Sequence, residues 1–102
     1  MAQLVRVADA QEIPPGQGKV VRVQGREIAL FNDDGRFYAV KNSCPHRGSS
    51  LERGTVEHAV LTCTGHAWHF DLRTGDALEH PPAGVRCYRV EIREGSVWIE
   101  VP

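Results

Sequence analysis

Two short Cys/His pairs, Cys44-Pro-His46 and Cys63-Thr-Gly-His66, constrain this chain more than any other feature. Sixteen residues separate His46 from Cys63, so a shared centre requires two distant loops to reach one point. Each pair mixes one thiolate with one imidazole, which is the ligand set for a two-iron, two-sulfide cluster with both thiolates on one iron and both imidazoles on the other. Thiolates hold ferric iron and sulfide well, while neutral imidazoles leave the second iron less negative and the cluster easier to reduce. Two cysteines and two histidines also form a zinc set, but zinc modules usually pair like with like, and here both pairs are mixed. A Cys–His hydrolase needs an orienting third residue and an oxyanion loop, and nothing of that kind accompanies either pair.

The segments Asn42-Ser-Cys-Pro-His-Arg-Gly48 and Cys63-Thr-Gly-His-Ala-Trp-His-Phe-Asp71 resemble the two cluster loops of Rieske proteins. Leu51 followed by Gly54, the Thr74-Gly75 turn and the late Gly95-Ser-Val-Trp-Ile99 stretch also fall where small Rieske ferredoxins have similar residues. The resemblance implies one [2Fe-2S] cluster held by Cys44, His46, Cys63 and His66, in a soluble ferredoxin of the kind found in ring-hydroxylating dioxygenase systems. It implies a flavin-containing reductase as electron donor and an oxygenase or other terminal oxidoreductase as acceptor. The protein is then an electron carrier and not itself an enzyme. The small subunit of an assimilatory, NAD(P)H-dependent nitrite reductase has a similar fold and stays open as an alternative; some such subunits lack the ligands, and this chain has all four. A structural zinc module is the alternative from a different class.

At 102 residues and 41% hydrophobic content the chain supports one modest core, so residues 1–102 read as a single domain. That length leaves no room for the larger domain that holds a mononuclear catalytic iron in oxygenase subunits. A formal net charge of -1 supplies no field for nucleic-acid phosphates or an anionic membrane surface. The N-terminal Met-Ala-Gln-Leu-Val-Arg-Val-Ala-Asp lacks the apolar run of a signal peptide or anchor, which predicts a cytoplasmic protein with no membrane partner.

Gly and Pro punctuate short runs of β-branched and aromatic residues, the pattern of an all-β fold. The expected architecture is a Rieske-type antiparallel β sandwich or barrel carrying two cluster-binding hairpin loops. Strands are predicted at Val5–Val7, Lys19–Val23, Glu27–Asn32, Arg36–Lys41, Thr55–Glu57, Val60–Thr62, Ala67–Asp71, Arg86–Arg93 and Val97–Val101. Asp33-Asp34-Gly35 and Glu94-Gly95 read as hairpin turns, and Pro14-Pro15-Gly16 as a loop, since proline cannot donate to a strand ladder. Each ligand loop follows a strand, so the cysteines are expected nearer the core and the histidines nearer solvent.

Other residues near the motifs have plainer expected roles. Gly48 and Gly65 allow the backbone to approach the sulfides and donate N–H bonds, and Pro45 stiffens the first loop. Trp68 and Phe70 are expected to pack in the core, with His69 on the opposite strand face. His58 reads as a solvated imidazole at a hairpin tip. The segment His80-Pro81-Pro82-Ala83-Gly84 is a candidate third wall of the site, with His80 near the centre without binding it. Cys87 alternates with Tyr88, Val90 and Ile92, which places it on the other strand face as a structural residue.

High-potential Rieske proteins, which share the ligand pattern, add a loop-to-loop disulfide and hydroxyl donors near the sulfurs. Here the matching cysteine positions are Ser49 and Gly65, and Ala67-Trp68-His69 follows His66 where a serine and then a tyrosine would supply donors. Two absent hydrogen bonds to charged sulfur lower the potential by on the order of 100 mV. The expected midpoint lies in the lower part of the family's span of roughly -150 to +300 mV. Protein-film voltammetry near neutral pH checks this, and a value well above about +100 mV on that span contradicts it.

Overall fold

The computed structural model describes residues 2–43, 50–63 and 68–102, and among these ten strands and two short 3-10 turns, Ala10–Glu12 and Leu51–Arg53, account for the regular structure. The strands are β1 (Gln3–Asp9), β2 (Gly18–Val23), β3 (Arg26–Asp33), β4 (Arg36–Lys41), β5 (Thr55–Glu57), β6 (Val60–Thr62), β7 (His69–Asp71), β8 (Cys87–Tyr88), β9 (Val90–Arg93) and β10 (Ser96–Val101). They form three antiparallel sheets with orders β1-β10-β9, β2-β3-β4-β8 and β5-β6-β7.

The second sheet lies between two cores. Ile28, Ala29, Leu30 and Phe31 are four consecutive residues with no exposed surface, which a strand allows only when both faces are covered. Alternation sends Ile28 and Leu30 to one side, where they meet Val97, Ile99 and Val101 of β10. Ala29 and Phe31 point to the other side and meet Leu51, Leu61, Cys63 and Phe70 beneath the small third sheet. β4 repeats the division with Ala39 and Val40.

Tight turns fix the registers. Gln24-Gly25, Asp34-Gly35, His58-Ala59 and Glu94-Gly95 each have positive φ at both central residues and close two-residue hairpins of the primed type, whose twist matches that of the strands. Ala59, at φ 62, lacks the glycine its neighbours use. Its N–H donates to Asp33 Oδ2 at 2.7 Å, and its carbonyl accepts from the Leu72 N–H at 2.8 Å, so contacts from two other segments hold the turn. The Pro14-Pro15-Gly16 loop is tied down by buried Asn32, whose Nδ2 donates to the Ile13 carbonyl and whose Oδ1 accepts from the Gly35 N–H, both at 2.7 Å.

Two expectations need correction. The run expected as one strand from Arg86 to Arg93 divides at Arg89, because β8 pairs with β4 while β9 crosses to pair with β10. Cys87 does lie opposite Tyr88 and Val90, which join the other core, but Ile92 on the edge strand β9 is 46% exposed and joins neither. The strands flanking the two ligand loops also differ: β6 and β7 pair with each other in the third sheet, whereas β4 belongs to the second sheet and β5, which follows the Leu51–Arg53 turn, to the third.

Gly75 and Gly16 both sit at positive φ, yet a Cβ on Gly75 would stand 2.1 Å from the Val85 carbonyl oxygen, while one on Gly16 would meet nothing within 4 Å. Gly16→Ala is expected to cost about 1–2 kcal/mol, the left-handed penalty alone. Gly75→Ala adds a backbone clash and is expected to cost about 3 kcal/mol or more. Denaturant unfolding of both variants checks the difference, and equal costs would contradict it.

Candidate metal centre

The first ligand loop leaves β4 at Asn42, which is buried although polar. A buried amide needs partners, and Asn42 finds them at both feet of the loop. Its backbone N–H and its Nδ2 donate to the Glu27 carbonyl (3.1 Å) and Glu27 Oε1 (3.2 Å), fixing the near foot to β3. Its Oδ1 accepts the N–H groups of Leu51 (2.7 Å) and Glu52 (3.0 Å), fixing the far foot to the same residue. One side chain therefore closes the segment between residues 43 and 50.

Leu51 then drops its side chain, with no exposed surface, into the core that holds Cys63. The turn packs so closely on the end of β6 that a Cβ on Gly54 would lie 2.4 Å from the Thr62 carbonyl oxygen. Only a residue without a side chain fits there. The far foot of the first loop consequently abuts the residue before Cys63.

Cys63 follows β6, is 1% exposed, and packs with Leu61, Phe70 and Leu72. Its N–H donates to the Trp68 carbonyl at 2.9 Å, which closes the second loop. Trp68 stacks on His80 with ring centroids 3.9 Å apart and planes 21° apart. Beside that stack, Glu79 accepts the His69 backbone N–H at 3.0 Å and its second oxygen meets His69 Nδ1. Glu79 and His80, where the proline segment begins, are thus latched to His69 and Trp68 at the start of β7. The hydrogen bond from the His69 backbone, and then the one from its ring, hold the Glu79 carboxyl below its ordinary value. A depressed carboxyl contributes fully above its unfolded-state pKa, so the latch weakens progressively as pH falls below that value and is lost once pH has fallen through the lower, folded one.

Of the four ligands expected from sequence, Cys63 lies within the described residues at the base of the site; Cys44, His46 and His66 lie outside them, as do Pro45, Arg47, Gly48, Ser49 and Gly65. Both loops are rooted in one core cluster, through Leu51 and Cys63. A buried cysteine where the described ends of the two loops share one core, with one further Cys and two His between those ends in sequence, fits a cluster bound by two thiolates and two imidazoles.

The other expected roles divide. Trp68 and Phe70 pack with this core, and His80 takes its place as a stacking partner of Trp68. His58 is an exposed hairpin residue beside Glu57. Burial, with smaller effects from the charges of Asp71 and Asp76, pushes the Cys87 thiol upward and keeps it neutral at neutral pH, opposite to what a thiolate ligand requires. Asn42 and Glu79 were not singled out from the sequence. The one available signal was an Asn two residues before Cys44, a residue type suited to accepting backbone N–H bonds.

The sequence pattern of the Rieske [2Fe-2S] domain matches residues 3–89. The chain belongs to the Rieske [2Fe-2S] family. It carries one cluster of that type, and the zinc reading of the same residues falls. Over 103 aligned residues, 99% of this chain and 96% of the relative, it is 37% identical to the 3-phenylpropionate/cinnamic acid dioxygenase ferredoxin subunit of Photorhabdus laumondii. Among solved structures it is similar to the ferredoxin in a complex of reduced oxygenase and oxidised ferredoxin of carbazole 1,9a-dioxygenase, with 30% identity, a TM-score of 0.83, and coverage of 93% of this chain and 99% of that one. It is also similar to a chain assigned as the small subunit of an NADH-dependent nitrite reductase from Mycobacterium tuberculosis, with 25% identity, a TM-score of 0.92, and coverage of 100% and 97%. Like its ferredoxin relatives, this Rieske protein is an electron-transfer component and not a catalyst.

Asn42→Ala removes the acceptor for two N–H groups and leaves them unpaired at the foot of the first loop. The expected result is a loss of about 2–4 kcal/mol in stability and fewer than two irons per chain, measured by unfolding and iron analysis. Full iron loading with unchanged stability would show that Asn42 does not set the loop.

Proposed function

We propose that this Rieske protein takes single electrons from a flavin-containing reductase and passes them to the terminal oxygenase of a ring-hydroxylating system. Cys44 and Cys63 hold one iron in this reading, and His46 and His66 the other. The cluster, when bound, supplies one reversible one-electron step. The chain's own residues do the rest: Cys63 supplies a thiolate from inside the core, Asn42 closes the first loop, and the Glu79 and His80 contacts hold the second.

The observation that carries the reading is the burial of Cys63 beside Leu51, at the shared root of both loops. Sequence likeness to a dioxygenase ferredoxin subunit along nearly the full length of both chains supports the choice of acceptor. The likeness to a nitrite reductase small subunit is strong in fold and weaker in sequence, so nitrite reduction is the second reading. A cytoplasmic carrier suits both. Among the described residues no helix is long and apolar enough to cross a membrane.

Holoprotein mixed with NADH and the flavin reductase of a ring-hydroxylating dioxygenase system is expected to bleach, and to recover its colour when the matching oxygenase and substrate are added. Cys44→Ser and Cys63→Ser are expected to abolish the visible spectrum, while Cys87→Ser keeps it. A protein that accepts electrons but passes them only to a nitrite reductase would replace the first reading with the second.

A further inference from the structure

Of the twelve Lys and Arg residues in the chain, Arg47 lies outside the described residues, and seven of the remaining eleven stand within ion-pair distance of an Asp or Glu. Among the described residues the four cations without such a partner are Arg26, Arg36, Lys41 and Arg86. Three of these four line one open cleft of about 750 Å³.

The strands bring the three together. Arg26 begins β3, Lys41 ends β4 and Arg86 directly precedes β8, and these strands are neighbours in one sheet. Ile28 faces Lys41 across one ladder and Val40 faces Cys87 across the next, while the Lys41 N–H donates to the Arg86 carbonyl at 2.9 Å. Strand alternation then puts Arg26, Lys41 and Arg86 on the same face. The Arg86 guanidinium lies 5.3 Å from the centroid of the Tyr88 ring, a cation–π contact that restricts it without neutralising it. Glu27, the one carboxylate among the described lining residues, already meets Arg22 and the Asn42 amide.

The cleft is also lined by Asn42, Ser43 and Ser50, at the two feet of the first ligand loop. In the electron-carrier reading above, positive charge there stands beside the loop that carries two of the proposed ligands, Cys44 and His46. We propose that Arg26, Lys41 and Arg86 form the docking cleft for a cluster of Asp and Glu side chains on the redox partner proteins, an inference that rests on the electron-carrier reading above. A carrier with one cluster uses one end for donor and acceptor in turn, so both partners present this acidic feature. Charge complementarity of this kind acts mainly on the association rate, over a range limited by the Debye length of about 10 Å at 0.1 M salt.

The test is stopped-flow reduction of the oxidised holoprotein by the flavin reductase of a ring-hydroxylating dioxygenase system, across a range of salt. Lys41→Glu, Arg86→Glu and Arg26→Glu are compared with Arg36→Glu, which reverses the unpaired cation outside the cleft. The unaltered protein is expected to react more slowly as salt rises. Each cleft reversal slows reduction about tenfold or more at low salt, Arg36→Glu does not, and all the rates converge at high salt. Visible spectra confirm equal cluster loading in every variant. Oxidation of the reduced proteins by hexacyanoferrate(III) supplies a small-anion control. Slowing with hexacyanoferrate but not with the reductase would make the cleft a small-anion site and overturn protein docking. A salt-independent rate in a protein that is otherwise reduced normally would overturn the inference alone. Failure of the unaltered protein to accept electrons from the reductase would overturn the donor reading and the inference with it.

Discussion

Everything at the cluster end depends on β3 being buried on both faces. Ile28 and Leu30 are locked into the core beneath β10, while Ala29 and Phe31 support the core beneath the third sheet. A fully buried side chain of this size contributes about 1.5–3 kcal/mol, so β3 joins the two cores more firmly than any surface contact does. Gly18 shows how closely β2 fits against that support: a Cβ there would lie 2.6 Å from the Phe31 ring and 2.8 Å from the Glu52 carbonyl oxygen. The far foot of the first ligand loop is thereby fixed from β2 as well as from Asn42.

This support lets short polar contacts set the loops. Asn42 closes the first loop, the Cys63–Trp68 backbone bond closes the second, and Glu79 with His80 braces the second from outside. Each is worth only about 1 kcal/mol when both partners can reach water, and more when a buried group would be left unpaired. Asn42 is the buried case, whereas Glu79 and His69 are partly exposed, so the first loop's closure is the costlier one to lose. Ion pairs elsewhere, such as Arg6 with Asp9 and Arg73 with Asp71, lie at the surface and contribute little to this framework.

Legibility in the sequence followed the range of the interactions. Strands such as Arg36–Lys41, Thr55–Glu57 and Val60–Thr62 end where the alternating pattern and turn residues say they should, because both signals are local. The crossing at Arg89 was hidden, since alternation continues through Tyr88 and Val90 while the pairing partner changes from β4 to β10. The His58-Ala59 turn was readable as a hairpin, but its support by Asp33 spans 26 residues and leaves no local trace. The same holds for Asn42 with Leu51 and for Glu79 with His69, nine and ten residues apart. The two Cys/His pairs were the strongest local signal, because soft thiolates and imidazoles at loop spacing have few other uses, and of the four proposed ligands Cys63 lies within the described residues, in the core at the root of both loops. The cation cleft was the least, because it exists only once three strands lie side by side.

The central claim is that one iron is held by two imidazoles, from His46 and His66, and the other by Cys63 and Cys44. Pulsed electron paramagnetic resonance of the dithionite-reduced protein, labelled with nitrogen-15 in histidine alone, measures this directly. Two strongly coupled histidine nitrogens, with one lost in each of His46→Ala and His66→Ala or the whole signal lost with the cluster, is the predicted result. A reduced cluster with no strongly coupled histidine nitrogen would contradict the account.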